Sequence, residues 1–151
     1  MARMVDVGDK AIVKRTATAE GSIRLKASTA QSIRRGQVRK GDVLTASKLA
    51  GIQAAKSTAN MLPLCHQIPL TSVEVDIHVA DRDLVAKCTV SALYRTGVEM
   101  EALVGVTVAL LNAWDMVKYL EKDSKGQYPD TVITGVRVIS KKKGGVSRGR
   151  R

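Results

Sequence analysis

The stretch SVEVDIHVADRDLVAKCTVSALY, residues 72–94, decides the fold. Val73, Val75, Ile77 and Val79 alternate with Glu74, Asp76 and His78, the period-two pattern of a strand with one face buried. Asp81-Arg82-Asp83 is a short connection, and Leu84, Ala86, Cys88 and Val90 then line one face of a second strand at 84–94. Two such runs joined so briefly predict a hairpin.

Downstream, TGVEMEAL opens a long helix at about 97–121. SKGQYPD at 124–130 is a loop, and 131–140 a last strand. Upstream, residues 1–10 read as an arm. Residues 11–25, rich in Val, Ile, Thr and Ala, read as a strand broken at Gly21. A short helix is expected at 28–36, ending at Gly36. A second starts from Asp42 as N-cap, with Val43, Leu44, Ala46, Leu49, Ala50 and Ala54 as its apolar stripe. Pro63 ends that helix, because proline pushes Leu62 into extended geometry. The order strand, helix, strand, strand, helix, strand is the split βαβ, ferredoxin-like α+β arrangement: an antiparallel sheet with helices packed on one face.

At 151 residues the chain reads as one domain, 1–140, followed by a basic tail, 141–151. The formal net charge is +11, and the six Lys and Arg of that tail leave +5 for the rest. Such a tail suits nucleic acid, acidic surfaces or phosphorylated ligands, or is simply solvated. With no Phe, one Trp and three Tyr, stacking platforms for single-stranded nucleic acid are lacking. Cys65 and Cys88 stand in no metal-ligand spacing, and no disulfide framework is needed at this size. The N-terminus has no apolar run with a small-residue cleavage site, and no stretch is long enough to cross a membrane without a polar break. The expected setting is a soluble, reducing compartment.

Three polar clusters interrupt the apolar elements: LPLCHQIPL at 62–70, TGVEMEAL at 96–103 and WDMVK at 114–118. Pro63 and Pro69 stiffen the loop that presents Cys65 and His66, whereas His78 lies on the polar side of a strand and reads as a surface residue. Thr96-x-x-Glu99 fits a capping box. Glu101 is not explained by capping, although a first-turn acid is also favoured by the helix dipole, so structure and function weigh equally for it. ALVGVTVALLNAW at 102–114 carries no charge. Its small residues Ala102, Gly105, Ala109 and Ala113 suggest close packing against another subunit. Asp115 and Lys118 share a helix face at i, i+3. By spacing alone they are an ordinary salt bridge; next to a buried stretch they are also a candidate base and acid. Lys40, just ahead of the Asp42 helix start, could add to an anion site or be a plain loop lysine.

Together with MVDVGDKA at 4–11 and KGDVLTASKLAGIQAAKSTANMLPLCH at 40–66, these motifs resemble the cyclic pyranopterin monophosphate synthase family, the C protein of molybdenum cofactor biosynthesis. The resemblance covers nearly the whole chain. It implies a lyase that converts 3′,8-cyclo-7,8-dihydroguanosine 5′-triphosphate, made by a partner radical SAM enzyme, into cyclic pyranopterin monophosphate and pyrophosphate. It also implies a ferredoxin-like fold, a hexamer built from dimers and a cytoplasmic location. No cofactor, protein-held metal, membrane or nucleic acid is expected. Carried over by motif, Asp115, Lys118 and Lys40 are the expected catalytic residues. Leu64, Cys65, His66, Met100, Glu101 and Arg15 are the expected substrate contacts. KKKGGVSRG at 141–149 departs from the family's C-terminal pattern by carrying Val146 after the glycines, so either Lys141 or Lys142 is expected in the site.

Overall fold

The computed structural model describes residues 1–144. The elements run β1 (Val13–Arg24), α1 (Ala27–Arg34), α2 (Val43–Lys56), α3 (Thr58–Met61), β2 (Leu70–Ala80), β3 (Asp83–Tyr94), α4 (Glu99–Glu121) and β4 (Val132–Gly144). They build one four-stranded antiparallel sheet in the order β2-β3-β1-β4, the ferredoxin-like arrangement the element order predicts. The β2–β3 turn is Asp81-Arg82, with Asp81 at φ 55, a left-handed position that Asp tolerates. Leu25 donates its N–H to the Arg82 carbonyl at 2.9 Å, so this turn is tied to the end of β1.

Odd-numbered residues of β1 and even-numbered residues of β3 face the helices. Ala17, Ala19, Ile23, Leu84, Ala86, Cys88, Val90 and Ala92 are almost completely buried there. The opposite face is a polar ladder, with Thr16 bonded to Ser91 at 3.1 Å and Thr18 to Thr89 at 2.9 Å. β1 is not broken at Gly21. It runs through, because α4 descends so close that a Cβ at Gly21 would lie 3.1 Å from Val106 and Leu110. Strand β4 absorbs the irregularity with two register shifts along β1, between Glu20 and Ser22, where Gly135 has φ +67, and between Thr18 and Ala19.

Asp42 caps α2 as its sequence position predicts, accepting from the Thr45 N–H at 3.1 Å and its hydroxyl at 2.7 Å. The small-residue ridge of α4 has a different partner from the one expected. Ala102, Gly105, Ala109 and Ala113 pack within the chain, against α2 and the sheet. A Cβ on Gly51 would approach the Gly105 carbonyl to 2.8 Å, and one on Gly105 would meet Cys88 Sγ at 2.6 Å. Nor is α4 buried all round: Thr107 and Leu111 are exposed, and Val104 and Val108 are half-buried. By length and composition α4 could cross a bilayer, but half of its most apolar window is packed inside the fold.

At the far end of α4, Glu121 is fully buried. Its carboxylate accepts the Lys26 N–H at 3.1 and 3.2 Å, the Thr29 hydroxyl at 2.5 Å and the Thr131 hydroxyl at 2.7 Å. One side chain therefore satisfies the start of α1 and secures the entry to β4. The last strand continues past residue 140, where it was expected to end, and takes in Lys141, Lys142 and Lys143. They are strand residues, paired with Ala17, Thr16 and Arg15. Residues 145–151, which hold Val146 and the terminal arginines, lie outside the described residues.

Candidate active site

The expected site residues divide between the two ends of α4. At its C-terminal end, Lys40 Nζ lies 2.8 Å from Asp115 Oδ2 and Lys118 Nζ lies 3.2 Å from Asp115 Oδ1. Lys40 also donates to the Asp115 carbonyl at 3.3 Å. All three are well exposed. Hydrogen bonds from Lys40 and then Lys118 hold the Asp115 carboxyl below its ordinary range. The i, i+3 pair foreseen in the helix is thus a triad, completed by the loop before α2. Beside it Arg39 stacks on Tyr119, 4.6 Å from the ring centre.

At the N-terminal end the carboxyl group, that of Glu101, is buried instead. Leu62 is extended before Pro63, and the Cys65 N–H returns to the Leu62 carbonyl at 3.0 Å, which sets the loop that carries His66. A cavity of about 130 Å³ is lined by Lys56, Ser57, Asn60, His66, Gln67 and Glu101. Glu101 is only 5% exposed, and its Oε2 has no hydrogen-bond partner among the described residues. Burial, helped by the charge of Glu99 and opposed by its own N–H, raises its carboxyl. Burial, and then the negative charge of Glu101, also pushes the Cys65 thiol up, so Cys65 is a poor nucleophile. Cys88, in the core, is pushed up to about 12 by burial. Leu64 and Met100 are exposed at this end of the helix.

The capping box does not form. Helix α4 begins at Glu99 with Val98 as N-cap, and no side chain caps it. Glu99 instead turns to Lys141, 2.9 Å away, a contact close enough for an ion pair but poorly aligned as a hydrogen bond. Burial alone would raise the Glu99 carboxyl, but the Lys141 ammonium, its own N–H and the Arg15 charge bring it below its ordinary value. Arg15 donates to the Arg95 carbonyl at 3.3 Å, and its Nε is buried without a partner among the described residues. Pairing opposite Ala17 and Arg15 puts Lys141 and Lys143 on the helix face of β4, whereas Lys142, opposite Thr16, faces the other way.

The structure therefore brings Lys40, Asp115 and Lys118 together at one end. At the other it gathers Cys65, His66, Glu101 and Arg15 with Glu99 and Lys141. The two sets do not meet. Glu101 and Asp115 are separated by roughly 21 Å along one continuous helix. Arg95, Lys56 and Asn60 escaped the sequence reading. Arg95 immediately precedes the TGVEMEAL motif, and that adjacency was the one available signal. Among the described residues no three metal-ligating side chains cluster, and no Tyr or Trp lies on the open face of the sheet.

The fold and the two ends of α4 define a ferredoxin-like α+β protein with cationic and carboxylate groups gathered at each end of one helix. The chain belongs to the MoaC family, whose model matches residues 4–144. It is 53% identical over 142 residues to a Thermococcus kodakarensis protein named as a probable cyclic pyranopterin monophosphate synthase, covering 94% of this chain and 91% of that one. An Archaeoglobus fulgidus protein of the same name is 52% identical, over 95% and 92% of the two chains. A Methanothermobacter thermautotrophicus protein, also 52% identical over 93% of this chain and 89% of its own, is named as a probable accessory protein of that synthase.

Proposed function

We infer that this chain is a cyclic pyranopterin monophosphate synthase of molybdenum cofactor biosynthesis. It is a lyase that converts 3′,8-cyclo-7,8-dihydroguanosine 5′-triphosphate to cyclic pyranopterin monophosphate and pyrophosphate. The observation that carries the reading is the near full-length identity with relatives of that name. It is joined by lysines and carboxylates at the positions where the family motifs fall.

The chemistry divides as the helix does. Ring opening and pterin formation need proton transfers. Glu101, a buried carboxyl with a raised pKa, and His66 beside it suit that work. Cyclic phosphate formation needs a ribose-derived hydroxyl to attack the α-phosphorus while the bond to the β-phosphate breaks and pyrophosphate departs. Lys40 and Lys118 supply positive charge for the phosphates as that bond breaks. Asp115 was expected as the base. A carboxylate held low between two ammoniums is a weak base, and its better role is to fix both lysines. Arg15 and Lys141 add charge at the other end, with Leu64, Cys65 and Met100 as contacts.

One substrate cannot reach both ends of one helix, so each site takes the Glu101 end from one chain and the Asp115 end from another. That requires a dimer, here one of three in a hexamer. The enzyme works in the cytoplasm, downstream of a radical SAM enzyme. The test is to incubate the purified chain with the cyclised triphosphate and follow both products, the pterin by fluorescence after oxidation and pyrophosphate by a coupled assay. Substrate consumed without either product would defeat the assignment.

A further inference from the structure

The N-terminal motif MVDVGDKA, outside every role given above, is built onto His66. The His66 Nε2 lies 2.7 Å from the Val5 carbonyl oxygen. A carbonyl only accepts, so Nε2 carries the hydrogen and donates it. Nδ1 has no partner among the described residues. His66 lines two cavities: the one that holds Glu101, and one of about 400 Å³ between the arm, Tyr94 and Arg95. Since Nε2 is committed to the arm, Nδ1 is the ring nitrogen left for the Glu101 cavity.

The arm is itself held. Val7 is buried as its anchor. Asp6 Oδ1 accepts the Gly8 N–H at 2.7 Å, and Lys10 closes a turn onto the Val7 carbonyl at 3.1 Å. One guanidinium nitrogen of Arg95 donates to the Gly8 carbonyl at 2.6 Å and to that of Lys10 at 2.8 Å. The Arg95 carbonyl in turn accepts from Arg15. Arg95 thus couples the arm to the strand end that leads into α4.

We propose that the N-terminal arm, clamped by Arg95, locks His66 in the Nε2–H tautomer. Nδ1 is then a fixed acceptor for a substrate N–H or O–H in the Glu101 cavity. Arg95 and the Val5 carbonyl are positioning groups, since they act through His66. The role in turnover rests on the function proposed above; the tautomer does not.

The chain has two histidines, so ring-nitrogen NMR separates His66 from the exposed His78. The spectra are recorded at about pH 8.5, where an ordinary imidazole is neutral. The full chain should show His66 with the hydrogen on Nε2 alone and an unprotonated Nδ1. Deleting residues 1–5, or Arg95→Ala, should give His66 the mixed tautomer pattern of a free imidazole. Turnover should drop roughly tenfold in kcat with KM little changed. Retention of the locked pattern after the deletion, or an Nδ1–H tautomer in the full chain, would overturn the proposal whatever the activity. If the parent chain makes no pterin while the tautomer behaves as described, the functional reading fails and the lock stands. Should Arg95→Ala not fold, the deletion alone decides, because Arg95 still grips Gly8 and Lys10 in it.

Discussion

The two ends of α4 hold the same chemical group in opposite electrostatic states. Glu101 is buried in a small cavity, with one oxygen unpartnered among the described residues and its carboxyl pKa raised. Asp115 is open to water and held ionised by two lysines, its carboxyl pKa lowered. Desolvation disfavours charge and neighbouring ammoniums favour it. Pairs of titratable groups pushed apart in this way are how one site separates proton transfer from charge stabilisation. Here the separation is also spatial, along one continuous helix, and the shared site proposed above rests on it.

The sharpest way to break this comparison is to disable the two ends separately. Glu101→Ala and Lys118→Ala proteins should each be inactive. After subunit exchange in an equal mixture, random pairing leaves about a quarter of two-chain sites with both ends intact. Activity should recover towards that fraction. Exchange demonstrated by mass spectrometry without recovered turnover would sink the shared site.

Next in size are the conservative substitutions. Glu101→Gln keeps the shape and removes the ionisable proton, so kcat should fall roughly 10²- to 10⁴-fold, the range for an acid–base group. Asp115→Asn leaves both lysines in place and only loosens them. Its loss should be smaller, about 10²-fold or less, as for a misplaced binding group. Steady-state kinetics on folded variants decide the matter. If Asp115→Asn costs more than Glu101→Gln, the two roles are reversed.

How far the sequence foretold this depends on how local each feature is. The alternation in β2, the long helix and the Asp42 cap are each set by near neighbours, and all are where they were expected. The misreadings came from distant partners. Gly21 resembles a strand breaker until α4 is laid over it. Thr96-x-x-Glu99 has capping-box spacing, but Lys141 arrives from the last strand and takes the carboxylate. The choice between Lys141 and Lys142 was beyond pattern counting. Each of the two bulges adds a residue to β4 and turns its alternation over, so the facing of Lys141 depends on both. The site motifs were legible as motifs. Their division into two groups required only the helix length, which the sequence already contained.

Stability should depend on a third carboxylate that belongs to neither group. Glu121 holds the start of α1 and the Thr131 hydroxyl from full burial. Glu121→Ala strands those donors, and at about 1–3 kcal/mol for each unsatisfied buried group the loss should be roughly 3 kcal/mol or more. Urea denaturation would read it as a lower midpoint with unchanged slope. A midpoint within error of the parent would mean that water replaces Glu121 without cost.

The smallest effect separates the two ends by pH alone. The Glu101 carboxyl is raised in the fold, so its contribution is fully present below the ordinary value of 4.5 and is lost as pH rises through the folded value. Glu101→Gln cannot ionise. Its melting temperature relative to the parent should therefore improve as pH rises from the ordinary value of 4.5 through the higher folded value, where the parent acquires the buried charge. The Asp115 carboxyl is lowered, so its contribution is present above the ordinary value of 3.8 and lost as pH falls through the folded value. Asp115→Asn should trail the parent slightly at neutral pH and draw level in acid. Because Asp115 is exposed and screened, that gap should shrink with added salt, whereas the Glu101 trend should persist. Parallel slopes for the two variants across this range would show that burial does not distinguish the ends of α4, and the division of labour built on it would fall.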